Sequence, residues 1–439
     1  MSNNIKEIVL GQVLCDVNSK GKERPWRKHK IHNMRLRESF ERLRGVQAII
    51  INTDIQTFHL KKRSIDEVKK RLSELIKSKH RKINYKSRAE NAELCGTHLT
   101  FNLDKDNKLK LKYAKFCQIR LCPVCAWRKA RKLSHNVSKV TEAIFEDGYR
   151  LLMLTLTVQN VYGDELSATI TKINKAFNRM TNYKRFKGSI LGYVRVLEIT
   201  HDVKDQITNQ MFFKSMDHYD KKGLGIGSKN PNFDKYHPHF HILLAVKSTY
   251  FTNGDKKGNY ITQAEFASMW QKALKVDYTP MVDIRAFKGR TKAEIAKSIQ
   301  EVAKYVTKSG DYLIGYYDAD GILWRDKVDK RMTDDAVKIL TEALHKRRLV
   351  GWGGVFDEKR KELDIEEEVK AEVNIDDEAV AAAEEELLLT YKWFGAGYRC
   401  NYRLIGTNKP DVESKYIIDP ETKDIIDTET GEIVGWEEY

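Results

Sequence analysis

The sequence predicts an α+β protein built on a central antiparallel β-sheet that is flanked by helices. The first observation behind this prediction is the order strand, helix, strand, long turn, strand and helix in the central part of the chain. The second is size and composition: 439 residues, 41% of them hydrophobic, are enough for two or three domains with a full core. The apolar runs are far shorter than a membrane span, and the start, Met1–Glu7, does not have the pattern of a secretory signal.

The N-terminal region, residues 1–92, is strongly basic and is predicted to be helical. Met34–Arg44 has the residue types of a helix. A second helix is predicted from Ser64 to about Ile76, where Ser64 and Glu67 form a capping box. The region either helps to hold DNA or is a solvated helical extension.

The central region carries the strands of the predicted sheet. Leu151–Val158 is an apolar run bounded by Gly148 and Asn160, and it predicts a buried strand. The segments that follow are a helix over 165–183, a strand over 191–200, a polar insertion over 202–235, a strand that begins at Tyr236 and a helix over about 291–308.

The C-terminal region is acidic. After Phe356 the sequence predicts a helix to Leu389, then an aromatic segment at Tyr391–Phe394 and an acidic tail rich in turn residues. The chain is therefore expected to divide into four parts. They are a basic helical extension (1–92), a cysteine-rich segment (93–140), a domain that carries the predicted sheet (141–356) and an acidic helical segment with its tail (357–439).

The net charge of +16 is unevenly distributed along the chain. Residues 357–439 contain 24 acidic and 10 basic residues, a balance of −14, whereas residues 1–356 contain 68 basic and 38 acidic residues, a balance of +30. A body this basic favours a polyanionic partner, of which nucleic acid is the most common. A basic surface that serves solubility alone is the alternative.

Three histidines stand together at the start of a predicted buried strand, in the order His237, Pro238, His239, Phe240 and His241. Successive side chains of a strand point to opposite faces, so His239 and His241 share one face. Two imidazoles on adjacent positions of one face can bind one metal ion. The alternative is that these histidines only hydrogen-bond backbone groups.

A carboxylate on the preceding strand is a candidate third ligand. Glu198 shares a face with the apolar residues Val194 and Val196, and a carboxylate there needs a partner. Together with His239 and His241 it would form a nitrogen and oxygen set that suits Mn²⁺ or Mg²⁺. Glu198 could instead pair with a core arginine, which would leave His237 or His201 as the third ligand.

Four of the six cysteines, Cys95, Cys117, Cys122 and Cys125, have the spacing C-x21-C-x4-C-x2-C. This spacing suits a structural, tetrahedral Zn²⁺ site and indicates the reducing environment of a cytoplasm. Two reduced cysteine pairs are the alternative, and a redox Cys-x-x-Cys is disfavoured because no thioredoxin-like βαβ pattern surrounds it. Basic residues near Trp127 are predicted to contact the DNA backbone, namely Arg120, Arg128, Lys129 and Arg131.

The helix predicted over 291–308 carries a tyrosine on one flank. Glu301 and Tyr305 are four residues apart and therefore neighbours, with Lys304 and Lys308 close by. A phenol is a poor nucleophile near its free pKa of about 10, so a catalytic tyrosine needs neighbouring positive charge or a metal. Without such activation, a tyrosine at this position is a packing residue.

Four stretches together resemble the replication initiators of rolling-circle plasmids, within the HUH endonuclease superfamily. They are Phe116–Arg128, Leu154–Thr157, His237–His241 and Glu301–Leu313. The likeness is greatest to the single-tyrosine group typical of Gram-positive plasmids, and it covers Cys95 to Gly354. The histidines precede the tyrosine, as in replication initiators and some transposases, whereas conjugative relaxases usually have the tyrosine first.

The resemblance implies an HUH core that nicks and rejoins DNA. A Mn²⁺ or Mg²⁺ ion held by His239, His241 and Glu198 would polarise the scissile phosphate. Tyr305 would attack phosphorus to leave a 5′-phosphotyrosyl link and a free 3′-OH, and Glu301 would act as a base at termination. The expected partners are plasmid double-strand origin DNA, single-stranded at the nick, and host helicase and replicative polymerase. A homo-oligomer is left open, and no membrane partner is expected.

Two other interpretations remain at this point. One is a single-tyrosine HUH transposase or mobilisation relaxase that uses the same chemistry on different DNA ends. The other is a zinc-stapled DNA-binding regulator without catalytic activity, whose histidines are structural.

Overall fold

The computed structural model describes residues 12–17, 21–59, 83–103, 109–251, 259–286, 308–368, 370–371, 387–405, 416–418, 424–427 and 433–436. The helices in these ranges are α1 (Trp26–His59), α2 (Tyr85–Leu94), α3 (Pro123–Glu146), α4 (Gly163–Thr181), α5 (Lys184–Ser189), α6 (Asn209–Lys214), α7 (Met216–Asp220), α8 (Gln263–Leu274), α9 (Lys330–Ala343) and α10 (Val355–Glu362). The strands are β1 (His98–Leu103), β2 (Leu109–Ala114), β3 (Arg150–Leu156), β4 (Gly192–His201), β5 (Tyr236–Val246), β6 (Val282–Ala286), β7 (Gly315–Tyr317), β8 (Leu323–Val328), β9 (Val350–Gly354), β10 (Leu387–Phe394), β11 (Gly397–Ile405), β12 (Tyr416–Ile418), β13 (Asp424–Asp427) and β14 (Ile433–Trp436).

Five strands form the central sheet in the order β6-β3-β5-β4-β9, and every neighbouring pair is antiparallel. The predicted α+β class with a central antiparallel sheet is therefore confirmed. β3, α4, β4 and β5 correspond to the strand, helix and two further strands expected from the apolar pattern. Strands β7 and β8 form a separate hairpin, and β12, β13 and β14 form a small three-stranded sheet.

Helices cover both faces of the central sheet. On one face, α4 and α8 pack against each other and bury residues such as Leu154 and Phe240. On the other face, α3 and α10 pack over Val194 and Leu243. Because side chains alternate along a strand, Glu198 shares the face of Val194. Glu198, His239 and His241 therefore lie on the α3 side of the sheet, beyond Val194 and Leu243 along β4 and β5.

A second sheet joins the cysteine-rich segment to the C-terminal region. Its order is β11-β10-β1-β2, and Phe101 of β1 pairs with Leu389 of β10. The expectation that an acidic helix continues to Leu389 is wrong, because residues from Leu387 onward form a strand. The physical reason is the change from Glu384–Glu386 to an apolar and aromatic run, which gains more from pairing with β1 and burying Leu389 than from a solvated helix.

Helix α1 connects the N-terminal region to the rest of the protein. It packs against α2, α3 and α9, and confirms the helix expected at Met34–Arg44. The segment before it also joins the second sheet, where Val13 forms a bridge with Arg399. The helices predicted over 64–76 and 291–308 lie outside the described residues, apart from Lys308. Within the described ranges, no helix is long and apolar enough to cross a membrane.

Candidate functional site

Strands β4 and β5 place Glu198 beside the histidine pair. In their antiparallel register Glu198 is opposite His239, and Val196 is opposite His241. Residues directly opposite each other point to the same face, and diagonal neighbours remain within reach of long side chains. The register of the two strands therefore brings the carboxylate of Glu198 to both imidazoles.

The three side chains form a group of the size that one metal ion requires. One ligand atom from each of Glu198, His239 and His241 lies within 4.8 Å of the others. The Oε2 atom of Glu198 is 2.9 Å from Nε2 of His241 and 3.5 Å from Nε2 of His239. Adjacent ligands of an octahedral ion with metal–ligand distances of about 2.1 Å are separated by about 3.0 Å. The donor set and its spacing fit Mn²⁺ or Mg²⁺, and the role of the three residues as ligands stays a prediction.

The other nitrogen of each imidazole faces an oxygen atom. Nδ1 of His239 lies 3.0 Å from the carbonyl oxygen of His237, and Nδ1 of His241 lies 3.3 Å from Oγ1 of Thr155. When Nδ1 carries the proton and donates to that oxygen, the lone pair of Nε2 is free for a metal ion. Thr155 is on β3, opposite His241, so three neighbouring strands contribute to the arrangement.

Glu198 is buried, yet it is held in its charged form. Burial by itself raises the pKa of a carboxyl group, but hydrogen bonds and charge from His239 and His241 outweigh burial and lower the pKa of Glu198 below its usual range. The ammonium group of Lys308 adds a further positive charge, with Nζ 3.7 Å from Oε1 of Glu198. The site therefore presents an ionised carboxylate.

The two competing third ligands, His237 and His201, are not members of this group. The ring of His237 stacks on His239 with centroids 4.9 Å apart, and burial lowers its pKa to about 4. His201 stacks on Tyr236, and its Nε2 lies 2.9 Å from Oδ1 of Asp234. The geometry therefore favours Glu198 over His237 and His201 as the third member of the group.

The segment Glu301–Leu313, which contains Tyr305, is described only from Lys308 onward, and Lys308 lies beside Glu198. Glu301, Lys304 and Tyr305 lie outside the described residues, whereas Lys308 begins a turn that Asp311 fixes. The carboxylate of Asp311 accepts hydrogen bonds from the backbone N–H of Lys308 (2.8 Å) and of His201 (3.3 Å). Burial raises the pKa of Asp311 to about 6. This turn attaches the chain after Tyr305 to the end of β4, three residues beyond Glu198.

The four predicted zinc ligands also come together. Sγ of Cys95 lies 3.6 Å from that of Cys122 and 3.5 Å from that of Cys125, and Cys117 and Cys125 are 3.6 Å apart. Tetrahedral Zn²⁺ with Zn–S distances of about 2.3 Å requires sulfur atoms about 3.8 Å apart. No pair is joined by a disulfide. The spacing fits a four-thiolate site for a divalent ion, and the identity of the ion stays a prediction.

A buried lysine beside this cluster was missed by the sequence analysis. Lys30 of α1 is fully buried and donates hydrogen bonds to the carbonyl oxygens of Glu93 (2.7 Å) and Cys95 (2.8 Å). Burial lowers the pKa of Lys30 to about 8, against the opposite effect of the nearby thiolates. A signal existed in the sequence, because Lys30 has helical spacing to Trp26 and Asn33, which are both buried.

The predicted DNA-contacting residues differ in accessibility. The guanidinium group of Arg128 is packed against the rings of Trp26, Phe116 and Trp127, and the residue is only 3% exposed. It therefore stabilises the docking of α1 on α3, and the expectation that it contacts DNA is not supported. The other three residues of the set are partly exposed, namely Arg120, Lys129 and Arg131.

Comparison with known proteins identifies relatives of the chain. A family model described as "Replication protein" matches residues 108–402. The chain is 37% identical over 299 residues to "Protein rep" of Bacillus amyloliquefaciens, which covers 64% of this chain and 74% of the relative. It is 32% identical over 357 residues to "Protein rep" of Streptococcus pneumoniae serotype 2, covering 81% and 84%. It is 30% identical over 387 residues to "Protein rep" of Lentilactobacillus hilgardii, covering 87% and 96%.

No solved structure matches the chain. The family match continues past Gly354, where the likeness seen in the sequence motifs ends, and includes β10 and most of β11. The match begins after β1, so it includes β2, β10 and most of β11 of the second sheet but not β1 itself.

Proposed function

From the premise that this chain belongs to the replication protein family, we propose that it initiates rolling-circle replication of a plasmid by nicking and rejoining one strand of origin DNA. The observation that carries the proposal is the group of Glu198, His239 and His241 on adjacent antiparallel strands, with Lys308 beside it. A carboxylate and two imidazoles on one sheet face are what an HUH core requires for metal-assisted phosphoryl chemistry.

A Mn²⁺ or Mg²⁺ ion bound by these residues would polarise the scissile phosphate and neutralise charge that develops on it. The protein residues orient the reaction. Thr155 and the carbonyl oxygen of His237 fix the rings of the two histidines, and Glu198 keeps its negative charge. Lys308 would place its positive charge beside a phosphate oxygen that binds near the carboxylate.

Tyr305 is the proposed nucleophile. It precedes Lys308 by three residues, and three residues span at most about 11 Å, so the covalent connection allows the phenol to reach the candidate metal centre. Its Oη atom would attack phosphorus as the O3′ atom leaves, which gives a 5′-phosphotyrosyl link and a free 3′-OH for the polymerase. Glu301 would accept a proton from water or from a 3′-OH at termination.

The remaining parts of the chain would hold and align the DNA. We assign the backbone contacts to partly exposed or flanking basic residues, namely Arg120, Lys129, Arg131, Lys304 and Lys308. A Zn²⁺ ion on the four cysteines would act as a structural staple for this surface. The same proposal includes the four-part division at residues 92, 140 and 356 and a cytoplasmic location. It also includes the recruitment of host helicase and polymerase, and self-association.

The proposal is tested with supercoiled DNA that carries the origin of the plasmid encoding the protein. Wild-type protein and Tyr305→Phe are incubated with this DNA in the presence of Mn²⁺ or Mg²⁺. We expect a metal-dependent nick and a covalent 5′ adduct from the wild type, and neither from the variant, because the phenylalanine ring lacks the attacking oxygen.

Other outcomes would redirect the proposal. Nicking that persists in Tyr305→Phe would place the nucleophile on another residue. Cleavage of transposon or transfer-origin ends in preference to the plasmid origin would favour a transposase or relaxase. Origin binding that survives EDTA, with no nick from either protein, would favour a DNA-binding regulator.

A further inference from the structure

Lys30 is a buried cation whose charge has no carboxylate partner among the described residues. Its ammonium group donates three hydrogen bonds, to the carbonyl oxygens of Glu93 and Cys95 and to Oγ1 of Thr97 at 2.9 Å. All three acceptors are neutral oxygens. A fully buried charge is unfavourable unless an opposite charge lies nearby. The hydrogen bonds satisfy the ammonium group, but they do not neutralise it.

Negative charge on the cysteine cluster acts on Lys30 more strongly than that of the Glu93 carboxylate. Lys30 bonds directly to the backbone of Cys95, whose Sγ lies within 3.6 Å of two further cysteine sulfurs. Four thiolates with one divalent ion carry a net charge of −2. Such a group, buried beneath α1, needs compensating positive charge as much as Lys30 needs a counter-ion.

We infer that Lys30 is the counter-charge of a metal–thiolate cluster, so that metal binding and the docking of helix α1 stabilise each other. The inference deepens the zinc site of the proposed function and does not depend on DNA cleavage. Lys30 does not contact the ion in this account, and it acts as a positioning and charge-balancing residue.

Groups of the cysteine segment also stabilise the thiolates, and Arg88 of α2 adds a positive charge that acts on Cys117. The backbone N–H of Cys117 points at Sγ of Cys95 (3.4 Å), and that of Cys125 points at Sγ of Cys122 (3.5 Å) at the first turn of α3. Lys129 is also near the thiolates, but it is only half-buried. Lys30 differs because it belongs to α1, a helix that lies outside residues 108–402, the region matched by the family model.

Other contacts of helix α1 hold Lys30 next to the cysteine cluster. Trp26 packs edge-on against Trp127 with ring centroids 4.7 Å apart, and the side-chain amide of Asn33 donates to the carbonyl oxygen of Ala92 (2.6 Å). These contacts fix the helix on both sides of Lys30. Coupling between two binding events is reciprocal, so metal loss should weaken the docking of this part of α1, and loss of the Lys30 charge should weaken metal binding.

The test uses the full-length protein and Zn²⁺ alone. Zinc affinity is measured by competition with a chromogenic chelator for wild type, Lys30→Met and Arg44→Met. Arg44 is an exposed residue of the same helix, so its variant controls for the loss of one positive charge. We expect zinc affinity to fall about 10- to 100-fold in Lys30→Met, as for other groups that support metal ligands, and to stay unchanged in Arg44→Met.

A second measurement needs no variant. Hydrogen–deuterium exchange of peptides covering Trp26–Phe40 in wild-type protein should be faster after zinc removal than in the zinc-loaded protein. This comparison decides the question if Lys30→Met does not fold. Unchanged zinc affinity in a folded Lys30→Met variant, unchanged exchange of α1, or a wild-type protein that binds no zinc would each overturn the inference. Because neither readout involves DNA, such a failure would leave the nickase proposal intact.

Discussion

At the scale of single residues, the first test is whether Glu198 completes a metal centre with the histidine pair of β5. Replacing it with glutamine keeps its shape and removes its charge, so Glu198→Gln should lower the affinity for Mn²⁺ by at least about 10-fold. The measurement is a Mn²⁺ titration of zinc-loaded protein followed by calorimetry. Asp234→Asn is the matched control, because Asp234 pairs with His201 outside the metal group. Equal Mn²⁺ affinity in wild type and Glu198→Gln would mean that Glu198 only forms ion pairs with the histidines.

Thr155 tests whether the orientation of His241 matters. Thr155→Val keeps the shape of the side chain and removes the oxygen that faces Nδ1 of His241. We expect about a 10-fold loss of Mn²⁺ affinity, since a support for a histidine ligand is lost while all three ligands remain. Thr157→Val is the control, because the Thr157 hydroxyl donates to the carbonyl oxygen of Met281 instead. Equal losses in both variants would indicate a general effect on β3.

At this scale the sequence predicts some residues better than others. Strand alternation alone places His239 and His241 on one face, and the structure agrees. Glu198 was left in competition with His237 and His201, because the choice depends on the register between β4 and β5, which the sequence does not state. Lys30 was missed because lysine on a basic helix resembles a solvated residue, and its burial depends on the fold around the cysteines.

Helix α1 and strand β8 meet at a histidine that should make stability depend on pH. Nε2 of His32 accepts a hydrogen bond from the backbone N–H of Leu323 (3.2 Å), so the buried ring must be neutral there. Burial, together with the charges of Lys28 and Arg35, lowers the pKa of His32 to about 4 from an ordinary 6.5. The contribution of His32 is therefore complete above pH 6.5 and is lost as the pH falls towards 4.

His32→Gln keeps an acceptor and cannot titrate in this range. Between pH 7 and pH 4.5 we expect the free energy of unfolding of the wild type to decrease by up to about 3 kcal/mol more than that of the variant. Urea unfolding of both proteins in the same buffers measures the difference, and loss of metal at low pH affects both equally. Parallel pH profiles would show that His32 is not the titrating group.

The secondary-structure elements of the central sheet follow from local patterns, whereas the second sheet does not. β3, α4 and β4 have continuous apolar or amphipathic patterns and were predicted. The partner of β1 is β10, and Phe101 and Leu389 meet across 288 residues of chain. The apolar run that begins at Leu387 suits a buried strand but could also end an amphipathic helix, and pairing with β1 makes the strand the more favourable structure.

At the scale of the whole molecule, one helix links the two groups of candidate metal ligands. The candidate metal centre and the cysteine cluster are connected by α3, which begins at the cysteines and packs on the same face of the central sheet as Glu198. The sequence predicts both centres and the α+β class. It does not predict that Lys30 of α1 docks beside the cysteine cluster, because that contact joins residues 63 to 67 positions apart in the chain.

The most direct measurement is the identity of the residue that becomes linked to DNA. The full-length protein is incubated with Mn²⁺ and a single-stranded oligonucleotide spanning the origin nick site, digested with nuclease and protease, and analysed by mass spectrometry. We predict a nucleotide attached through its 5′ phosphate to the peptide containing Tyr305, and much less of it when Glu198→Gln protein is used at a Mn²⁺ concentration that does not saturate the variant. An adduct on another residue, or efficient nicking with no adduct, would contradict this prediction.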